Sequence, residues 1–297
     1  VVALVRRELA LSPGSYVGRG QMESRLRDLD ATGLFGLVRY RLTPEGPDEA
    51  ELTVQVDERP RDRFGVGLRY DDERRAALLF TANVHNLLRY GSLTRVELRV
   101  GEETRLGMAF NRRRGVTGRF GAGLAAAWSQ APLSLGAAEG GRVTVEVARA
   151  SASLGLSVGR ATYLGLEAAG ERASGSLEVV DVWLASGAAV LDHETLDRVD
   201  FPGRGADVLA RAEWGITDVS DGGWFSLWTA EARSYVPLHP RVTFDMGAYV
   251  GYTRGTDLPA HRRFFVGGAH RSAVFRGTQP TFQGLERQEQ TGRAVQI

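Results

Sequence analysis

Catalysis and metal binding need particular side chains at particular spacings, and this chain supplies few of them. Its five histidines, His85, His193, His239, His261 and His270, are scattered without metal-ligand spacing. Cysteine is absent, which removes disulfides, thiolate ligands and cysteine nucleophiles together. Serines occur in fragments such as "SDGG" with no partnered base, and no Gly-x-Ser-x-Gly elbow is present. No metal, no cofactor and no enzyme activity are therefore expected of this chain. What remains is fixed charge. Glu97, Arg211, Glu213, Glu231, Arg233 and Asp245 interrupt apolar stretches, and "NRRRG" at 111–115 is a basic turn suited to anionic headgroups or plain solvent. Near the end stands "RFFVGGAHRSAVFRGTQPTF", a long glycine-punctuated basic string that fits neither a strand nor a helix.

The elements that position these charges fall into two unequal parts. In the first sixty residues, "VALVRREL" reads as a short helix. "GQMESRLRDLDATG" reads as a second, with Met22, Leu26 and Leu29 at helical spacing and Gly33 placed to cap it. "LFGLVRYRL" and "AELTVQVDE" then alternate as strands around the turn "GPD", with Phe35 on the face opposite Val38. The order helix, helix, strand, strand makes a small α+β unit that lacks a first strand.

From residue 61 onward the period is two. In "RVTFDMGAYVGYT", Val242, Phe244, Met246, Ala248, Val250 and Tyr252 share one face against Arg241, Thr243, Asp245, Gly247, Tyr249 and Gly251. The pattern predicts about twelve strands: 62–71, 75–85, 92–101, 104–112, 117–129, 143–158, 161–172, 180–191, 204–216, 224–236, 241–253 and 284–297. Within 143–158 the apolar parity switches from Val143, Val145 and Val147 to Leu154, Leu156 and Val158, which predicts a bulge or the junction of two strands.

Alternation alone fits a soluble sandwich, whose apolar face is a core, or a membrane barrel, whose apolar face meets lipid. Three features favour the barrel. Many strands reach the ten residues or so that cross a bilayer at a tilt of about 45°. The polar faces carry full charges at mid-strand, as a wet lumen allows. Short links at 159–160 and 237–240 interleave with longer ones at 130–142, 217–223 and 254–283, as periplasmic turns interleave with outer loops. The short turn near 101–103 and the long link at 192–203 break that rule. No apolar run is long enough for a transmembrane helix, and "VVALVRRELALSPG" lacks a signal-length hydrophobic stretch, so any export signal is expected upstream. Lys and Arg together number 37 against 36 for Asp and Glu, so no nucleic-acid partner is expected. The five tryptophans fit either interfacial belts or ordinary apolar faces.

A small α+β unit leading into such a barrel resembles a POTRA domain joined to a BamA/TamA-type outer-membrane barrel of the bacterial surface antigen superfamily. "LRDLDATGLFGLVRYRLTPEG" is similar to the POTRA helix and its G-F-x-x-V-x-Y strand, and "LTVQVDERPRDRFGVGLRYDDE" to the last POTRA strand running into the barrel. "TLDRVDFPGRGADVLA" is similar to the D-x-x-x-F-P-t-x-G segment before the ninth strand, marking Asp197, Phe201, Pro202 and Gly205. The late basic string is similar to the sixth outer loop, F-x-x-G-G followed by (V/I)-R-G-(F/Y), marking Phe264, Gly267, Gly268, Phe275, Arg276 and Gly277. Phe275 departs from the usual Val or Ile, and Thr278 from the final aromatic.

The resemblance implies a partial POTRA domain at 1–60 in the periplasm and a barrel at 61–297 in the bacterial outer membrane, ending about four strands short of sixteen. It implies Arg276 inserted in the lumen, pinned by an acidic partner on the missing strands. It implies insertion or translocation of polypeptides, with outer-membrane lipid as the solvent and a client strand docking at the POTRA edge or the barrel seam. The first strings look closest to patatin-like phospholipase fusions, so the barrel of a lipase encoded upstream is one alternative and a passive porin another.

Overall fold

The computed structural model describes residues 2–31, 35–47, 49–58, 62–71, 75–85, 87, 92–112, 120–134, 142–159, 161–175, 181–197, 202–218, 222–239, 242–256, 258–267, 278 and 290–296. Helices α1 (Val2–Leu9) and α2 (Arg19–Ala31) precede strands β1 (Phe35–Pro44) and β2 (Ala50–Glu58), which pair antiparallel as a two-stranded sheet. The helices bury Val5, Leu9 and Leu29 against Phe35, Val38, Val54 and Val56. α1 ends where Ala10 turns left-handed (φ 47°), and the Arg25 guanidinium of α2 donates to the carbonyl oxygens of Leu9 and Ala10. A cation on the last carbonyls of a helix satisfies acceptors that have no intrahelical partner. Phe35 corrects the face expected for it: a bulge between Phe35 and Leu37 turns its ring to the side of Val38, where it is fully buried. The expected cap at Gly33 lies outside the described residues.

The rest is one large antiparallel sheet. Its strands are β3 (Asp62–Asp71), β4 (Arg75–His85), β5 (Ser92–Gly101), β6 (Thr104–Arg112), β7 (Phe120–Ser134), β8 (Arg142–Val158), β9 (Thr162–Gly175), β10 (Val182–Glu194), β11 (Gly205–Thr217), β12 (Gly223–His239), β13 (Val242–Gly255) and, within the last expected strand, β16 (Ala294–Gln296). Each pairs with its sequence neighbour, and β13 pairs with β16, giving a twelve-stranded order from β3 to β16. β14 (Phe264–Val266) and β15 (Gln290–Gly292) form a separate ribbon in the long link between β13 and β16. Among the described residues, no pairing joins β3 to β16.

The two faces sort by polarity. Leu68, Leu98, Met108, Leu124, Leu154, Leu166, Trp214, Trp228, Phe244 and Met246 stand outward and exposed. Arg95, Glu97, Arg149, Glu167, Arg211, Glu213, Arg233 and Asp245 take the opposite parity. The polar face is concave. Arg149 on β8 comes within 3.8 Å of Glu213 on β11, although three strand spacings in a flat sheet span about 14 Å. The sheet therefore curls around its charges, as an aqueous lumen requires, and keeps its apolar side for lipid.

The parity switch in β8 is not a bulge. Residues 142–158 form one strand in continuous register with both neighbours. Val143, Val145 and Val147 face the lumen and are buried, while Leu154, Leu156 and Val158 face outward. The strand is 17 residues long, and about ten suffice to cross the bilayer. Its first turns therefore project beyond the membrane, where water lies outside and apolar residues must turn in.

Candidate functional site

The inner wall of β7–β12 is layered from its loop end inward. Outermost is an apolar collar: Ala131, Leu133, Val143, Val145, Val147, Ala173, Val182, Leu184 and Phe225. Into it packs the start of the long link after β13, through Leu258, Ala260 and Phe265. A 3₁₀ turn at Ala260–Arg262 then aims His261 and Arg262 at the next layer, which is charged.

That layer is closely knit. The Arg262 Nε and terminal nitrogen donate to both oxygens of Glu171, at 3.1 and 2.7 Å. His261 Nε2 donates to Glu171 at 2.8 Å. A second terminal nitrogen of Arg262 lies 3.6 Å from Glu213, and its guanidinium carbon lies 5.8 Å from the centre of the Phe225 ring. The wall holds both carboxylates in place. Arg149 donates to Glu171 and Glu167, Arg211 donates to Glu167 and Glu213, and the Ser186 hydroxyl donates to Glu213 at 2.7 Å. Glu171 and Glu213 are buried, so each charge depends on these partners, since a carboxylate away from water is tolerated only when paired and hydrogen-bonded. Gly215 makes room for the platform: a Cβ there would come 2.5 Å from the Phe225 ring.

The arrangement binds and positions. It pins a loop segment inside the barrel by a bidentate guanidinium–carboxylate fork, a geometry that a lysine cannot reproduce.

Of the expected loop-six residues, Phe264 is fully buried, packs with Leu227 and meets Tyr249 edge to face at 6.4 Å. Gly267 follows with φ 125°, a conformation that suits glycine. Gly268, Phe275, Arg276 and Gly277 lie outside the described residues. Thr278 is buried, and its carbonyl accepts from the Phe265 amide at 2.8 Å, which draws the two arms of the link together. The loop arginine seen among carboxylates is Arg262, and its partners sit on β9 and β11. Sequence reasoning missed it and His261 because they stand in a loop without periodicity. Glu167 and Glu171 had a readable signal, since they share the polar parity of β9 opposite Leu164 and Leu166.

The segment before β11 is a structural clasp. The Asp197 carboxylate accepts from the amides of Gly203 and Arg204, and Thr195 exchanges hydrogen bonds with Ala206. Gly205 adopts φ 115°, and a Cβ there would lie 2.4 Å from the Thr195 carbonyl oxygen. Pro202 lies in this link; Phe201 lies outside the described residues.

All five tryptophans face outward. Trp128 and Trp183 lie on one ladder through Ala148 and Arg172. Trp214 and Trp228 meet edge to face at 5.0 Å, with Trp224 nearby on the same face. All lie toward the loop-collar end, so they form a girdle on one side of the membrane.

Residues 61–292 match the family model described as the Omp85 superfamily domain. Among solved structures, the fold is similar to BamA from Haemophilus ducreyi lacking POTRA domains 1–3 (TM-score 0.63, 14% identity, 91% of this chain and 56% of that one). It is similar as well to CdiB from Acinetobacter baumannii (TM-score 0.61, 13% identity, 100% and 56%) and CdiB from Escherichia coli (TM-score 0.63, 16% identity, 99% and 57%). The chain thus spans little more than half the length of these structures. No curated protein matches it. The chain belongs to the Omp85 superfamily and is a β-barrel of the bacterial outer membrane.

Proposed function

We propose that this Omp85-superfamily barrel assists the insertion or translocation of polypeptides at the outer membrane. In this reading residues 1–60 act as a partial POTRA domain in the periplasm and residues 61–297 as the membrane barrel. The observation that carries it is the segment Leu258–Val266, lodged inside the barrel and fastened to Glu171. A passive pore needs an open lumen with steady access to water. Here the loop end is filled by an apolar collar, and the charged layer beneath is neutralised from within the same chain. A barrel closed in this way has more use for its wall and its edges than for a permanent channel.

The small sheet supports the same reading. Among the described residues β1 pairs only with β2, so this sheet offers edge backbone on which an extended client could add a strand.

The test is reconstitution. The full-length protein in liposomes should raise the yield of folded, protease-protected outer-membrane barrel from an unfolded client, above that of empty liposomes. Equal yields, together with steady open currents in planar bilayers, would mark it as a porin and sink the proposal.

A further inference from the structure

Arg262 does not simply make an ion pair; it occupies a formed cradle. Two buried carboxylates, Glu171 and Glu213, and the flat face of a fully buried ring, Phe225, surround one guanidinium on three sides. The fork to Glu171 uses the side nitrogen and one terminal nitrogen in a single plane. This is the hydrogen-bond pattern of a planar, delocalised cation, and the ring face adds a cation–π contact within reach of about 6 Å.

The cradle does not depend on its occupant. Glu171 keeps Arg149, and Glu213 keeps Arg211 and Ser186, all from the barrel wall. Arg262 and His261, the two donors that belong to the link, leave together if the segment withdraws. The wall layer then carries three carboxylates, Glu167, Glu171 and Glu213, against the two guanidiniums of Arg149 and Arg211, leaving one uncompensated negative charge in a pocket already shaped for a flat cation.

We propose that Glu171, Glu213 and the Phe225 ring form a guanidinium-binding site in the barrel lumen, occupied by Arg262 when the link is docked and able to take an arginyl side chain of a second polypeptide segment when it is not. This rests on the reading that the barrel handles polypeptides. It goes further by naming the side chain the lumen recognises, and it makes Arg262 an internal competitor for that side chain.

The experiment uses the full-length protein with Arg262→Ala, after confirming that the variant still changes mobility on a gel between unheated and boiled samples. In planar bilayers N-acetyl-arginine amide should lower the mean current of the variant at least about threefold. N-acetyl-lysine amide should need roughly tenfold more to do the same, because a point cation cannot fill the fork. Adding Glu171→Gln should abolish the difference. Equal block by both probes, or arginine-selective block that survives Glu171→Gln, overturns the site. Arg262→Gln, closer to the native side chain in bulk and polarity, is the second variant. Saturation-transfer NMR of the arginine probe on both detergent-solubilised variants is the second readout, and no transfer in either overturns the proposal even where currents stay small. Probe binding is scored without any client. A protein that binds the probe but assembles no client keeps this site and loses the proposed function, and the reverse result does the opposite.

Discussion

Arg262 and Glu171 stand 91 positions apart in the chain, and their side chains meet at 2.7 Å inside the barrel. The contact ties the long link between β13 and β16 to the middle of the wall. It joins two kinds of fastening: an apolar one, where Phe265 and Leu258 fill the collar, and a polar one directly beneath. Each makes the other selective. The collar excludes water from the charges, and the charges fix which residue of the link sits below the collar.

Removing the acceptor should therefore cost as much as emptying the collar. Glu171→Gln leaves Arg262 and Arg149 buried with a weaker partner, and breaking a buried pair from one side costs about 3–5 kcal/mol. Phe265 is fully buried, and truncating such a ring costs about 3–5 kcal/mol as well. Urea unfolding of the purified barrel, followed by gel mobility, should move to clearly lower urea for both Glu171→Gln and Phe265→Ala. A midpoint for Glu171→Gln equal to that of the parent would mean that the loop is not fastened there.

Salt separates this pair from a superficially similar one. Arg233 and Asp245 meet at 2.6 Å, but their side chains are 54% and 40% exposed. Exposed pairs contribute about 0–1 kcal/mol and are screened at high ionic strength, whereas buried pairs are screened far less. Arg233→Ala should change stability little, and that little should vanish in about 1 M KCl. The effect of Arg262→Ala should persist in the same salt, read by the same urea midpoints.

The clasp before β11 predicts a different kind of defect. Gly205→Ala forces a side chain onto φ 115° and drives its Cβ against the Thr195 carbonyl. Strain of this type costs on the order of 1–3 kcal/mol. Asp197→Ala frees two backbone amides, each hydrogen bond to the carboxylate being worth about 1.5–3 kcal/mol. Both variants should lower the folded fraction on unheated gels without raising single-channel current, because the link lies at the opposite end of the strands from the collar. Higher current in either would tie the clasp to the plug.

How far the sequence could be read depended on what surrounds each strand. Where lipid lies outside and water inside, alternation is strict, and β3, β4, β5 and β6 fall within the residues expected of them. Beyond the membrane the rule reverses, as Val143 and Val145 show. β7 was expected to end at 129 and runs to Ser134, and β9, expected to end at 172, runs to Gly175, because inward apolar residues there no longer alternate with a polar lumen. The charges of the site were legible one at a time: Arg211 and Glu213 sit on a polar face whatever the partner. That Arg262 would complete them was not legible, since the pairing is made by tertiary curvature across four strands and by a loop with no period of its own. The tryptophans were ambiguous in one dimension and are resolved by pairing and exposure, which put residues from β7, β10, β11 and β12 on the outer face, with Trp128 and Trp183 on one ladder.

The ladder of Trp128 and Trp183 sets a depth scale along β9, and depth predicts the cost of charge on the outer face. Leu166 lies on β9 six residues from Arg172, which sits on the same ladder as Trp128 and Trp183. At about 3.3 Å per residue and a tilt near 45°, six residues descend about 14 Å, close to the middle of an apolar band some 25 Å tall. Leu166→Arg should therefore cost about 2–4 kcal/mol, while Trp183→Arg at the girdle should cost about 0–1 kcal/mol for its charge. Unfolding in urea from phospholipid vesicles measures both. Equal costs at the two positions would place the membrane elsewhere on these strands, and a negligible cost for Leu166→Arg would mean that this face never meets lipid.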